Sequence, residues 1–350
     1  MTNRNARLLI AVAALVGLAS SGLPAQTTID GVIYLNGSMG LTKDTTFSPN
    51  AARNNFDVDR VYLNIRSKSE GGISSRVTLD VDGRKAQAGQ LTFLLKYAFV
   101  AWKPEGSELT WKLGLQNTPL IGFTEDIWGY RMQGKVAMDR TGYLSSSDFG
   151  LAVEGGWRDQ ALNVDVGLFN GETYSRAPGD NRKDLAGRVS VRLLETDDMS
   201  KIGGLRLTGF AHLGQATGGA DRRRLQGMLS YRTEALALGA EYAVTRDSTA
   251  ASAETDGRVI SLFGAYKVPD SKFGFIARVD RWDPDTDRNP ATAVLSASEQ
   301  TRLIGGVSYQ MAKNVRLLFD ADIASVQNGP ASNAFEAANR TLFVHAEIKF

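Results

Sequence analysis

Beyond the first 25 residues, apolar side chains recur at every second position in one segment after another. In VYLNIRS, Val61, Leu63 and Ile65 alternate with Tyr62, Asn64 and Arg66. In LTWKLGLQN, Leu109, Trp111, Leu113 and Leu115 alternate with Thr110, Lys112, Gly114 and Gln116. LNVDVGLFN, LQGMLSYR, FGFIARVDRW and TLFVHAEIKF repeat the pattern. A period of two belongs to strands with one apolar and one polar face. Sixteen such segments can be placed, the first near 29–42 and the last near 340–350.

The connections alternate as well. The even ones are mostly tight: SKSEGG, PEGSE, RDQA, TEA, VPDSK and AKN. The odd ones are mostly longer and include 117–148, 171–183, 283–299 and 325–339. This predicts an all-β fold, a transmembrane antiparallel up-and-down β-barrel of about 16 strands with short periplasmic turns and long external loops. Strands of about 9–11 residues suffice to cross the hydrocarbon when tilted. In lipid every backbone donor and acceptor needs a partner, so the last strand is expected to close on the first.

Composition fits that expectation. Arg4 and Arg7 lead into LLIAVAALVGLA and a small-residue stretch ending at Ala25, the order of a secretory signal, so the barrel is expected over 26–350. The chain has 40 basic and 38 acidic residues, and losing the signal leaves the two balanced, which argues against a nucleic-acid partner. An exported chain without cysteine is not a disulfide scaffold. A mean hydropathy of −0.20 conceals the period. The expected place is the outer membrane of a Gram-negative-type bacterium, with its lipid as partner.

If one face meets lipid, charge belongs on the other. Only Lys103 and Arg281 fall on the apolar parity, both at strand ends. The opposite parity carries Arg60, Arg66, Arg76, Lys96, Lys112, Arg188, Arg192, Arg206, Arg278, Arg302 and Arg316 as candidate lumen residues. Basic residues outnumber acids there, which predicts a water-filled pore with a preference for anionic solutes. The alternative is that these charges pair across strands, as Arg278 and Asp280 can.

The segment 117–148 is the longest connection and has no clean period. It is the candidate constriction loop, offering Glu125, Asp126, Arg131, Lys135 and Arg140; a lid outside the lumen is the alternative. Arg222, Arg223 and Arg224 follow an external turn and are candidates for drawing anions to the mouth, or for a solvated strand end. Two histidines, His212 and His345, and no cysteine leave no expected metal or cofactor.

Four patches in order resemble the phosphate-selective porin O and P family: KYAFVAWKP at 96–104, LTWKLGLQNTPLIGFTEDIWGYR at 109–131, SSDFGLAVEGG at 146–156 and ARVDRWDPD at 277–285. The resemblance implies a sixteen-stranded channel, commonly a homotrimer, that passes anions. It also implies an arginine ladder and a lysine cluster at the constriction. Here that segment holds Arg131, Lys135 and Arg140 against Glu125, Asp126 and Asp139. Phe350, after its alternating strand, resembles the signal by which barrel-assembly machinery recognises its clients. A passive channel for small hydrophilic solutes is the expected function. Competing expectations are a plugged barrel that binds or anchors, a barrel enzyme using His212 or His345 beside a serine, and a soluble sandwich.

Overall fold

The computed structural model describes residues 26–41, 54–82, 92–176, 179–215, 219–248, 254–287, 299–327 and 340–350. The expected signal at 1–25 lies outside them. The first eight strands are β1 (Gln26–Gly40), β2 (Asn54–Lys68), β3 (Ile73–Asp82), β4 (Phe93–Trp102), β5 (Leu109–Asn117), β6 (Ser147–Trp157), β7 (Leu162–Phe169) and β8 (Asp184–Leu194). The second eight are β9 (Gly204–Gln215), β10 (Asp221–Arg232), β11 (Leu236–Ser248), β12 (Glu254–Lys267), β13 (Phe273–Asp283), β14 (Glu299–Ala312), β15 (Val315–Gln327) and β16 (Arg340–Lys349).

Each strand pairs with its predecessor, and β16 returns to β1 to close the barrel. The seam runs antiparallel from Val32↔Lys349 to Gly40↔Thr341. Phe350 extends it: Gly31 N donates to Phe350 O at 2.9 Å and Phe350 N to Gly31 O at 3.1 Å. The Phe350 ring lies over Gly31, where a Cβ would come within 2.4 Å of it. Only glycine admits the ring there.

The alternating apolar rows point outward. Leu113, Leu207, Leu225 and Phe319 are exposed on the outer wall. A closed ladder with an apolar exterior is the geometry a bilayer demands. At the end with the short turns, Trp102 faces Trp111 across β4 and β5, and the Phe273 and Tyr309 rings lie 5.1 Å apart. Aromatic rings gather at membrane–water boundaries, where an apolar body and a wet edge both suit.

Bulges break the parity locally. The register shifts between Thr78 and Leu79, which leaves Lys96 as the extra residue on β4. Beyond it Phe99 and Ala101 turn inward while Val100 and Trp102 turn out. Lys103, expected on the lipid side, therefore sits on the lumen side, where it lines the internal cavity 4.0 Å from Glu108.

The lumen is less uniformly polar than expected. On β10–β15, the inward residues Met228, Ala243, Val259, Phe263, Ile276, Ile304 and Leu318 form part of a buried apolar cluster. The other half comes from the connection between β5 and β6, which lies inside the barrel. It contains α1 (Ile121–Trp128), a 3₁₀ turn at Arg131–Gln133 and α2 (Ala137–Arg140). Ile121, Phe123, Ile127 and Trp128 of α1 are buried against that wall. Each large apolar side chain buried in this way stabilises by roughly 1.5–3 kcal/mol. Gly129 ends α1 in the left-handed region at φ 71°, its N–H donating to Glu125 O.

Candidate functional site

Lumen arginines hold the inward segment by its carbonyls. Arg188 Nε donates to Pro119 O at 2.7 Å, with its guanidinium 4.0 Å from the Phe123 ring centre. Arg232 Nη1 donates to Asp126 O at 2.5 Å, Arg316 Nη2 to Gly129 O at 2.6 Å, and Arg278 Nη1 to Lys135 O at 3.0 Å. Two of these carbonyls lie at the end of α1, where helix carbonyls lack internal partners and the dipole favours cations. Tyr130 and Ser308 hydroxyls meet at 2.9 Å, and Gln133 Nε2 donates to Asp322 at 3.3 Å. The segment is thus tied to β8, β10, β13, β14 and β15.

The charged residues expected at the constriction pair mostly among themselves. Arg131 meets Glu125 at 2.7 Å and Lys135 meets Asp139 at 2.8 Å. Asp126 lies 3.8 Å from Lys201 on a periplasmic turn. Arg140 Nη2 donates to Lys135 O at 3.0 Å and Gln133 Oε1 at 3.4 Å. Burial, then Arg302 and Arg278, disfavour its charge and pull its pKa below the usual arginine value.

Along the wall, most expected lumen cations carry a carboxylate. Arg60 meets Asp80 at 2.5 Å, Lys112 Glu154 at 2.6 Å, Arg278 Asp280 at 2.7 Å, Arg316 Glu347 at 3.1 Å and Arg192 Glu195 at 3.4 Å. Arg66 pairs with Asp30, and Arg302 grips Asp322 with two bonds of 2.6 and 2.7 Å. Cross-strand neutralisation, stated above as the alternative, describes these positions. Among the described residues, the expected lumen cations Arg76, Lys96, Arg188 and Arg206 have no carboxylate within 4.0 Å. Arg206 is walled off from the lumen, with Nε on Gly203 O and Nη2 on Gln160 O. Arg76 donates to Asn64 Oδ1 at 2.9 Å and lies 4.5 Å over the Tyr97 ring. Lys96 donates to Ser146 Oγ at 3.0 Å, with the Tyr62 and Tyr174 rings 4.9 and 5.4 Å away. These tyrosines were not expected at the site, although Tyr62 stands on the polar parity where it could be found.

Toward the periplasmic turns, α1 and the 3₁₀ turn roof a cavity of about 970 Å³. Twelve lining residues are Lys or Arg and seven are Asp or Glu, which leaves the vestibule positive. At the opposite mouth, the expected cluster of three arginines divides. Arg222 and Arg224 point inward, to Asp184 at 3.1 Å and Asp247 at 2.6 Å, while Arg223 points outward. Consecutive strand residues alternate faces, so the three cannot share one.

The histidines sit beside carboxylates. His212 Nε2 is 3.0 Å from Asp184 and His345 Nε2 is 3.0 Å from Asp320. Neither has a serine hydrogen bond among the described residues.

No family model matches the chain. No curated protein matches it either. Solved structures do. An anion-selective porin from Comamonas acidovorans aligns with TM-score 0.64 and 12% identity, over 93% of this chain and 100% of that one. The outer-membrane channel DcaP of Acinetobacter baumannii aligns with TM-score 0.65 and 9% identity, over 94% and 99%. OmpT, an outer-membrane protein of Vibrio cholerae in its trimer form, aligns with TM-score 0.61 and 12% identity, over 93% and 99%. At such identities the likeness establishes a shared porin-type barrel fold.

Proposed function

We propose that this chain is an outer-membrane porin, a passive diffusion channel for small hydrophilic solutes with a weak preference for anions. The observation that carries this is the positive vestibule beneath the inward segment, enclosed by a barrel whose outer wall is apolar. Rings of Lys and Arg favour anions through fixed field rather than chemistry. The preference is weak because most lumen cations meet a carboxylate; among the described residues that line the vestibule, Arg76, Lys96, Arg188, Lys267 and Lys272 have none within 4.0 Å. Phosphate selectivity, which the resemblance implies, draws little support from a segment whose Arg131 and Lys135 are paired with acids. No covalent step is needed.

Homotrimeric assembly belongs to the same proposal, as does recognition of Phe350 by barrel-assembly machinery. The competing proposal is a barrel sealed by its inward segment and acting through binding; the apolar packing of α1 favours it. Reconstitution into planar bilayers under a salt gradient decides between the two. Discrete conductance steps with a reversal potential of anionic sign are expected. Absence of steps from folded protein would sink the channel, and a cationic sign would overturn the anion preference.

A further inference from the structure

Four adjacent strands carry an outward row of arginine at one height. On β10–β13 the lipid-facing rows end, toward the external rim, at Leu225, Val244, Ile260 and Val279. The next outward position on each strand is Arg223, Arg246, Arg258 and Arg281, respectively, so the outward face carries three arginines besides the Arg281 expected there. Beyond them, nearer the rim, stand Asp221, Asp256 and Asp283. The order from the membrane outward is apolar, then guanidinium, then carboxylate. On the neighbouring β8 and β9 the outward rows run up to Leu185 and Leu213, and the next outward positions are Lys183 and Gln215 rather than arginine.

Depth places the arginines at the hydrocarbon edge. From Leu236 to Val244, β11 runs about 27 Å at ~3.4 Å per residue. A tilt of about 40° makes this roughly 20 Å of height, close to the ~25 Å apolar band of such barrels. The guanidiniums then lie where lipid phosphates lie, and the acids lie farther out.

The register adds a second observation. Arg223 is directly opposite Arg246 on the outward face, and both side chains are about half exposed. Like charges directly opposite destabilise a sheet unless an anion joins them. Each arginine of the row touches a carboxylate through a solvent-exposed guanidinium: Arg223 meets Asp221 at 3.3 Å, Arg246 meets Asp256 at 2.6 Å and Glu254 at 3.5 Å, Arg258 meets Asp283 at 3.7 Å, and Arg281 meets Glu299. These contacts orient the guanidiniums without occupying every donor.

We propose that the arginine row on β10–β13 docks the phosphate headgroups of outer-leaflet lipid, with Arg223 and Arg246 at its centre. The planar fork of arginine takes two phosphate oxygens at once. This rests on the barrel's place in a membrane and is independent of conduction.

The test uses the full barrel in detergent, incubated with bis-phosphorylated lipid A or with the same lipid dephosphorylated, and counts retained lipid by native mass spectrometry. Wild type should retain the phosphorylated form preferentially. The variant Arg223→Gln/Arg246→Gln should lose it by about twentyfold or more, from about fivefold per basic residue at an anionic surface, with unchanged heat-modifiable mobility. If that variant does not fold, Arg258→Gln and Arg281→Gln singly should each cost about fivefold. Equal retention of the two lipids, or equal retention by wild type and variant, overturns the proposal. Displacement of lipid A by millimolar inorganic phosphate overturns the lipid assignment in favour of a free-anion site.

Discussion

Replacing Trp128 with alanine tests whether the inward segment sets the conductance. Trp128 is 1% exposed and meets Phe263 edge-on, with ring centres 5.4 Å apart. Tyr130 lies 5.7 Å away, and the Arg278 guanidinium lies 5.7 Å over the indole. Truncating a packed aromatic residue to alanine costs about 3–5 kcal/mol. Trp128 belongs to no strand ladder, so the cost falls on docking of the segment and not on closure of the barrel. Taking about 4 kcal/mol at ~1.4 kcal/mol per tenfold, the undocked fraction of α1 grows by about three orders of magnitude. The clamps from Arg188, Arg232 and Arg316 remain, so α1 stays tethered while it moves. Single-channel recordings should show a larger mean conductance, or frequent steps between two levels, with heat-modifiable mobility unchanged. The same conductance and noise as wild type, from folded protein, would refute a role for the segment in narrowing the pore.

Lys96→Gln should move the reversal potential toward cations, because no carboxylate lies within 4.0 Å of Lys96; Arg206→Gln, sealed behind backbone carbonyls, should leave it in place. Lys135→Glu should shift the same potential in the cation direction, and an unchanged value would put Lys135 outside the path of the ions. Deleting Phe350 removes two backbone bonds and a ring contact, so barrel yield in cells should fall several-fold while in-vitro refolding from urea changes little; equal losses in both would make the residue merely structural. Burial alone would raise the Asp198 carboxyl, but hydrogen bonds from Ser200 and Arg232 hold it below the ordinary range. Its contribution is therefore present at neutral pH and lost only as pH falls through the lowered folded value. Asp198→Asn should accordingly increase channel noise at pH 7, by loosening the Arg232 clamp on Asp126, and have no effect once wild-type Asp198 is protonated.

The strands were legible because lipid tolerates only one kind of side chain on the outer wall. The turns RDQA, TEA and VPDSK separate β6 from β7, β10 from β11 and β12 from β13, as expected. Bulges were not legible: one extra residue at Lys96 reverses the faces beyond it, and nothing local in KYAFVAW announces the reversal. The docking wall was half visible. Val259 and Phe263 share the parity of Lys267, and Ile304 shares that of Arg302, so apolar residues on the lumen face already marked a covered region. What would cover it required the chain to turn inward after Pro119, which has no periodic signature. Which cation is neutralised depends on register, as with Arg60 and Asp80, and a pattern of alternation does not supply register.

The seam between β1 and β16 has a consequence for biogenesis. Its partners, from Val32 and Lys349 onward, lie more than 300 residues apart along the chain, so loop closure of nearly the whole polypeptide precedes the first of these hydrogen bonds. Every nascent intermediate before that moment has two unsatisfied borders. A factor that held the late border would therefore delay premature zipping of the seam.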